Sequence, residues 1–127
     1  MNGTPQVESG RTSDWLLFEN TDIGRYSREN GTVAASQTLK DGQMIGFNDA
    51  GTELVAYDDA APNGATAVGI LVGDCTTGVG ETKDVVYVTR HARINANSLY
   101  TTGLAAPAIA AGLADLASRG IVTVREV

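Results

Sequence analysis

The residues Thr76–Lys83, TTGVGETK, have the composition of a phosphate-binding loop. Such a loop cradles phosphates on successive backbone N–H groups, while a Lys reaches the outer phosphates and a Ser or Thr hydroxyl sits on magnesium. Gly73 and Gly78 keep the required spacing, but Val79-Gly80 stand where Lys-Ser/Thr belongs. Sliding the frame to Gly80 puts Cys75 at the first glycine and Glu81 at the lysine, where a carboxylate repels phosphate. With 15 glycines in 127 residues, near-matches of this kind arise by chance. The stretch Gly73–Lys83 reads instead as a connection between strands, its glycines permitting positive φ and its polar residues facing water.

The other reactive side chains are equally sparse. His91, the one histidine, and Cys75, the one cysteine, could form a thiol–imidazole dyad only if the fold brought them within hydrogen-bond reach beside an orienting third group. Nothing in their spacing requires that. One His and one Cys do not make a zinc site of nitrogen and sulfur ligands. Asp41, Asp49 and the pair Asp58-Asp59 could offer oxygen to calcium, but no EF-hand run is present, and solvated loop carboxylates are the simpler reading. A glycosidase pair would need one carboxyl group with a raised pKa, which the sequence does not reveal. No catalytic residue, cofactor site or metal ligand is assigned, and the chain reads as a non-enzyme.

The elements around these residues come from one domain's length of chain. Apolar residues make up 43% of it, mostly Ala and Val with few aromatics, so the core is expected to be thin and helped by self-association. The net charge of −6 and the scattering of nine basic residues disfavour nucleic acid and anionic membranes as partners. A single cysteine excludes an intrachain disulfide. No apolar run approaches the roughly 18 residues of a membrane helix, and the N-terminus lacks the basic and apolar regions of a secretory signal. The expectation is a soluble protein, intracellular or assembled. Asn30-Gly31-Thr32 fits a glycosylation sequon only by chance in such a setting.

Along the chain, residues 1–13 read as a polar, mobile tail. Thr32–Ala35 is a candidate strand. Met44–Phe47 and Glu53–Tyr57 flank a glycine-containing linker as a hairpin. Asp58–Gly64 is a loop, Ala67–Val72 a buried strand and Asp84–Arg90 a β-branched one. Ile109, Leu113 and Leu116 then fall on one helical face. Pro107 places the helix start near Ala106, Asp115 and Arg119 are spaced to pair, and Gly120 is placed to cap. Ile121–Val124 is a final strand. Strands, one helix and a last strand make an α+β chain in which β dominates.

One segment stands out. Trp15-Leu16-Leu17-Phe18 holds the only Trp and one of two Phe, between acidic and turn residues. Strand side chains alternate, so bulky residues in succession cannot all bury on one face of a half-exposed strand. Either the cluster is core, as these residue types usually are, or it docks on a partner.

The run DGQMIGF-NDAG-TELVAYDD, then NGATAVGILVGD, KDVVYVTRHARI, an Ala-rich helix and SRGIVTVREV, resembles the head decoration proteins of tailed phages. This is the family of the phage lambda capsid-stabilising protein. The resemblance rests on the hairpin at Ala50–Asp58, the AVGIL strand at Ala67–Leu71, the GIV strand at Gly120–Val122 and the lead-in Tyr26–Val33, and it covers residues 26–127. It implies a β-clip-like domain, 31–127, that forms homotrimers on the outside of the expanded head at three-fold and quasi-three-fold positions, after assembly in the host cytoplasm. It implies an N-terminal arm, 1–30, that orders against the major capsid protein. Trp15, Leu16, Leu17, Phe18, Tyr26 and Arg28 are then the expected capsid contacts. The WLLF cluster itself is a departure from the lambda protein. On this reading, removing residues 1–25 leaves a folded trimer that no longer decorates heads, and Trp15→Ala weakens decoration with circular dichroism unchanged. The alternatives are a self-assembling minor virion protein and a small-ligand domain using the 73–83 loop.

Overall fold

Whether a strand is apolar on one face or on both decides its place in this molecule. The computed structural model describes residues 15–19, 27–59 and 63–123. Its strands are β1 (Leu16–Glu19), β2 (Arg28–Val33), β3 (Thr38–Leu39), β4 (Met44–Phe47), β5 (Leu54–Ala56), β6 (Gly69–Val72), β7 (Cys75–Thr76), β8 (Lys83–Val88), β9 (Ala92–Ile94) and β10 (Ile121–Thr123). A 3-10 turn covers Ala96–Ser98, and the helix α1 runs Ala106–Ala117. The fold is α+β and β-dominated, with the helix in the last third and a strand after it.

Five strands close a barrel in the order β2-β5-β4-β6-β8. Each contributes to one buried cluster: Val33, Leu54, Ile45, Leu71 and Tyr87. Neighbouring residues on three of these strands, Met44, Ile70 and Val88, belong to a second cluster outside the barrel, with Trp15, Ile94, Leu116 and Ile121. Because successive side chains point to opposite faces, β4, β6 and β8 are covered on both sides. This explains the unbroken apolar run in AVGILV. The outer layer consists of α1 and a three-stranded sheet in the order β1-β9-β10, antiparallel then parallel.

The hairpin forms as expected: β4 and β5 pair from Ile45↔Ala56 to Phe47↔Leu54, and Asn48 Oδ1 accepts from the amides of Thr52 and Glu53 in the turn. The helix begins at Ala106, with Pro107 in its first turn, where its missing N–H is harmless. Of the expected apolar face, Leu116 is fully buried, while Ile109 and Leu113 pack at its margin. Asp115 and Arg119 do not pair. Asp115 Oδ2 accepts from the Ala67 amide at 3.0 Å, and Arg119 donates to Thr89 Oγ1 at 3.1 Å. Specific tertiary partners outcompete an i,i+4 pair worth only a few tenths of a kcal/mol.

β2 starts earlier than its apolar content suggests. Arg28 through Val33 pair in unbroken register with β8, from Arg28↔Val88 to Val33↔Lys83. Residues 28–30, expected in the arm, therefore belong to the barrel. The connection 73–83 is also more structured than a plain loop, since β7 pairs with β3 through Thr38↔Thr76 and Leu39↔Cys75.

At Gly46 the barrel wall touches the loop that follows β5. A Cβ there would lie 2.5 Å from the Thr66 carbonyl oxygen and 2.8 Å from Gly64 Cα, both backbone atoms that cannot turn aside. Gly64 is itself stitched in, donating to the Phe47 carbonyl at 2.8 Å and accepting from the Asp58 amide at 2.9 Å. Gly46→Ala is expected to cost about 3 kcal/mol through overpacking. Denaturant unfolding that shows the variant as stable as wild type would mean the loop yields freely.

Candidate docking surface

The residues with chemical potential are kept apart or already occupied. Cys75 is buried on β7, and desolvation pushes its thiol above the ordinary cysteine value. It packs in the barrel cluster, whereas His91 is exposed before β9, at the turn that meets Gly120. In the 73–83 connection the Gly78 amide, which a phosphate loop would offer to its ligand, donates to Glu81 Oε1 at 2.7 Å. Among the described residues no group of three or more His, Cys, Asp or Glu could hold a metal ion. Desolvation likewise raises the phenols of Tyr57 and Tyr87. Tyr57 donates to the Ala108 carbonyl at 3.0 Å, tying the barrel's outer layer to α1.

The aromatic segment divides into two parts. Trp15 is fully buried and belongs to the outer core. Its Nε1 donates to Asp41 Oδ1 at 3.2 Å, and its carbonyl accepts from the Asn95 amide at 2.8 Å. The indole lies on Gly42, where a Cβ would come within 2.8 Å of the ring and φ is +85°. Asp41 Oδ1 also accepts from the Gly73 amide at 3.0 Å, so one buried carboxylate links the N-terminal segment to the 40–43 and 73–75 turns. Leu16 is half-buried against the same cluster.

Leu17 and Phe18 face outward, 51% and 57% exposed. The pairing of β1 with β9 shifts between Leu16↔Ile94 and Phe18↔Arg93. Such a bulge inserts a residue and breaks strict alternation. This resolves the difficulty of bulky neighbours on one strand: Trp15 and Leu16 serve the core, and Leu17 and Phe18 leave it.

Arg28, expected at the capsid contact, is paired within the folded body. Its Nε and Nη2 each donate to a separate oxygen of Glu19 at 2.8 Å. That hydrogen bonding, followed by the charge of Glu19, raises the guanidinium above its ordinary value despite the opposing effect of burial. A bidentate pair of this geometry braces the end of β1 against β2. Tyr26, the tail 1–13 and the rest of the proposed arm between Glu19 and Ser27 lie outside the described residues.

Register places two further residues beside Phe18. Phe18 and Val122 both face Arg93 across the three-stranded sheet, and Val122 is 45% exposed. A shallow groove of about 310 Å³ runs between them over Ala92 and Gly120. Sequence reasoning missed Arg93 and Val122. The buried–exposed–buried pattern of Ala92-Arg93-Ile94 is the one signal it held, and that pattern does not reveal which strands flank it. A larger open groove of about 720 Å³ follows β2 and β8, lined by both signs of charge, including Arg28, Asp74 and Asp84.

A barrel covered on both sides at β4, β6 and β8, with Phe18 and Val122 exposed on the neighbouring sheet, defines a β-dominated α+β protein with a candidate docking surface. The comparison with known families gives that class a place. The family model for the bacteriophage lambda head decoration protein D matches residues 5–121, and the chain belongs to that family. It is a decoration protein of a phage capsid, from a structural family of virion components. No curated protein matches the chain.

Proposed function

We propose that the protein cements the expanded phage head, binding the major capsid protein as a homotrimer on the outer surface at three-fold and quasi-three-fold positions. The observation that carries this reading is the pair Leu17 and Phe18, held outward by the bulge in β1 while Trp15 and the Glu19–Arg28 pair fix that strand to the body. An apolar ridge on a rigid base loses little freedom when covered. A trimer around a three-fold axis has heterologous, closing interfaces. It touches several shell subunits at once, so modest contacts multiply through effective concentration. Binding only to the assembled, expanded lattice stabilises that lattice by mass action against outward pressure from packaged DNA. The acidic charge suits a position outside the shell, away from the DNA.

Residues 1–14 form the arm proper in this reading, because Trp15–Glu19 are part of the folded body. A chain starting at Trp15, in place of the cut after residue 25, is expected to remain folded and trimeric, with a mass by light scattering of three shortened chains, below three times the full chain's 13.2 kDa, and to lose most of its occupancy on expanded heads. Full occupancy by the shortened chain would remove the arm from the mechanism. Open-ended polymers of the full chain would point to a self-assembling minor virion protein. Heads that resist heat, chelator and osmotic shock equally well with and without the protein would end the cementing reading.

A further inference from the structure

We infer that the shell contact extends across the whole outer face of the β1-β9-β10 sheet, and that this face takes an acidic segment of the shell protein bearing an apolar side chain. The inference rests on the cementing reading, since it is the partner that covers Phe18 that must also cover Arg93.

Phe18, Arg93 and Val122 form one row across the three strands, so their side chains share a face, and all three are exposed. Ala92 and Gly120 form the floor of the groove between the two apolar residues, which leaves room for a side chain to enter. A partner that buries Phe18 and reaches Val122 therefore lies on Arg93. Taking a guanidinium out of water without a carboxylate opposite it is costly, so a stable contact supplies one.

Charge on this face favours the same conclusion. The chain carries −6 overall, yet among the described residues no carboxylate lines this groove, whose polar side chains are Arg93 and His91. Glu19, beside Phe18 on β1, has both oxygens engaged by Arg28. Among the described residues Arg93 joins no salt bridge. An acidic protein that presents a local cation between two apolar side chains fits an apolar, negatively charged surface better than a neutral or basic one.

The experiment titrates full-length wild type, Arg93→Glu and Lys83→Glu onto expanded heads lacking the protein, with trimer mass and melting followed in parallel. Lys83 is exposed on the barrel strand β8, and its reversal changes net charge equally. Arg93→Glu is expected to bind at least about tenfold more weakly at low salt, with unchanged mass and melting, while Lys83→Glu stays close to wild type. Added salt should weaken wild type more steeply than Arg93→Gln. Equal binding by wild type and Arg93→Glu overturns this inference alone, as does an equal loss in Lys83→Glu. A fall in the mass of Arg93→Glu overturns it in favour of a second copy of this chain as the occupant. Wild type that does not bind heads overturns the cementing reading and the inference with it.

Discussion

Trp15→Ala is expected to lower the unfolding free energy by about 3–5 kcal/mol, the range for removing a large aromatic from a packed core. The indole is fully buried, stacked on Gly42 and surrounded by residues from the barrel exterior, β9, α1 and β10. Removing it leaves a cavity that a glycine turn cannot fill. It also leaves the buried Asp41 without one of its donors, which still holds the Gly73 amide. Trp15→Phe separates the two contributions, since most of the packing survives and only the Nε1 donor is lost, at about 1–3 kcal/mol. The measurement is the denaturant midpoint by circular dichroism, with the slope checked for constancy. Weakened decoration by Trp15→Ala would then report on the position of β1, because Trp15 is fully buried within the folded body. Unchanged stability would return Trp15 to the docking segment and undo the division of the aromatic cluster.

That division shows where sequence reasoning stops. Barrel strands β4, β5, β6 and β8 were legible because their apolar runs are either alternating or unbroken, and both patterns have a direct physical meaning, whereas the polar start of β2, Arg28–Gly31, carried no such signal. The helix was legible because Pro107 and Gly120 mark its ends through backbone chemistry alone. The bulge in β1 was not, because it arises from pairing with β9, far along the chain. Without the bulge, WLLF admits core and docking equally; the structure buries Trp15 and leaves Leu17 and Phe18 exposed. Arg28 was expected at the capsid contact through the family resemblance, and its pairing with Glu19 could not be read from the sequence. Gly42 reads as a turn residue, and its second duty, admitting the indole, depends on a residue outside its own turn. Arg93 and Val122 become neighbours only through a parallel pairing of β9 with β10, for which no local signal exists.

The larger functional effect is expected from replacing Leu17 and Phe18 together by serine. Both side chains are about half exposed, so the folded monomer loses little: surface substitutions of this kind change stability by about 0.5 kcal/mol or less. On the head the balance reverses. Full burial of a Leu or Phe contributes roughly 1.5–3 kcal/mol, and about half of that remains to be gained when a partner covers these two. The loss is then about 2 kcal/mol per protomer. A trimer engaged through all three protomers loses about 6 kcal/mol, or roughly four orders of magnitude in apparent affinity. A monovalent contact would lose only about thirtyfold, so the size of the effect also measures how many protomers bind together. Occupancy of expanded heads against protein concentration is the readout, with light scattering to confirm that the trimer persists. Saturation at the wild-type concentration would show that the ridge is not the contact. Loss of the trimer itself would place Leu17 and Phe18 between copies of this chain, and the shell would then have to be held by another face.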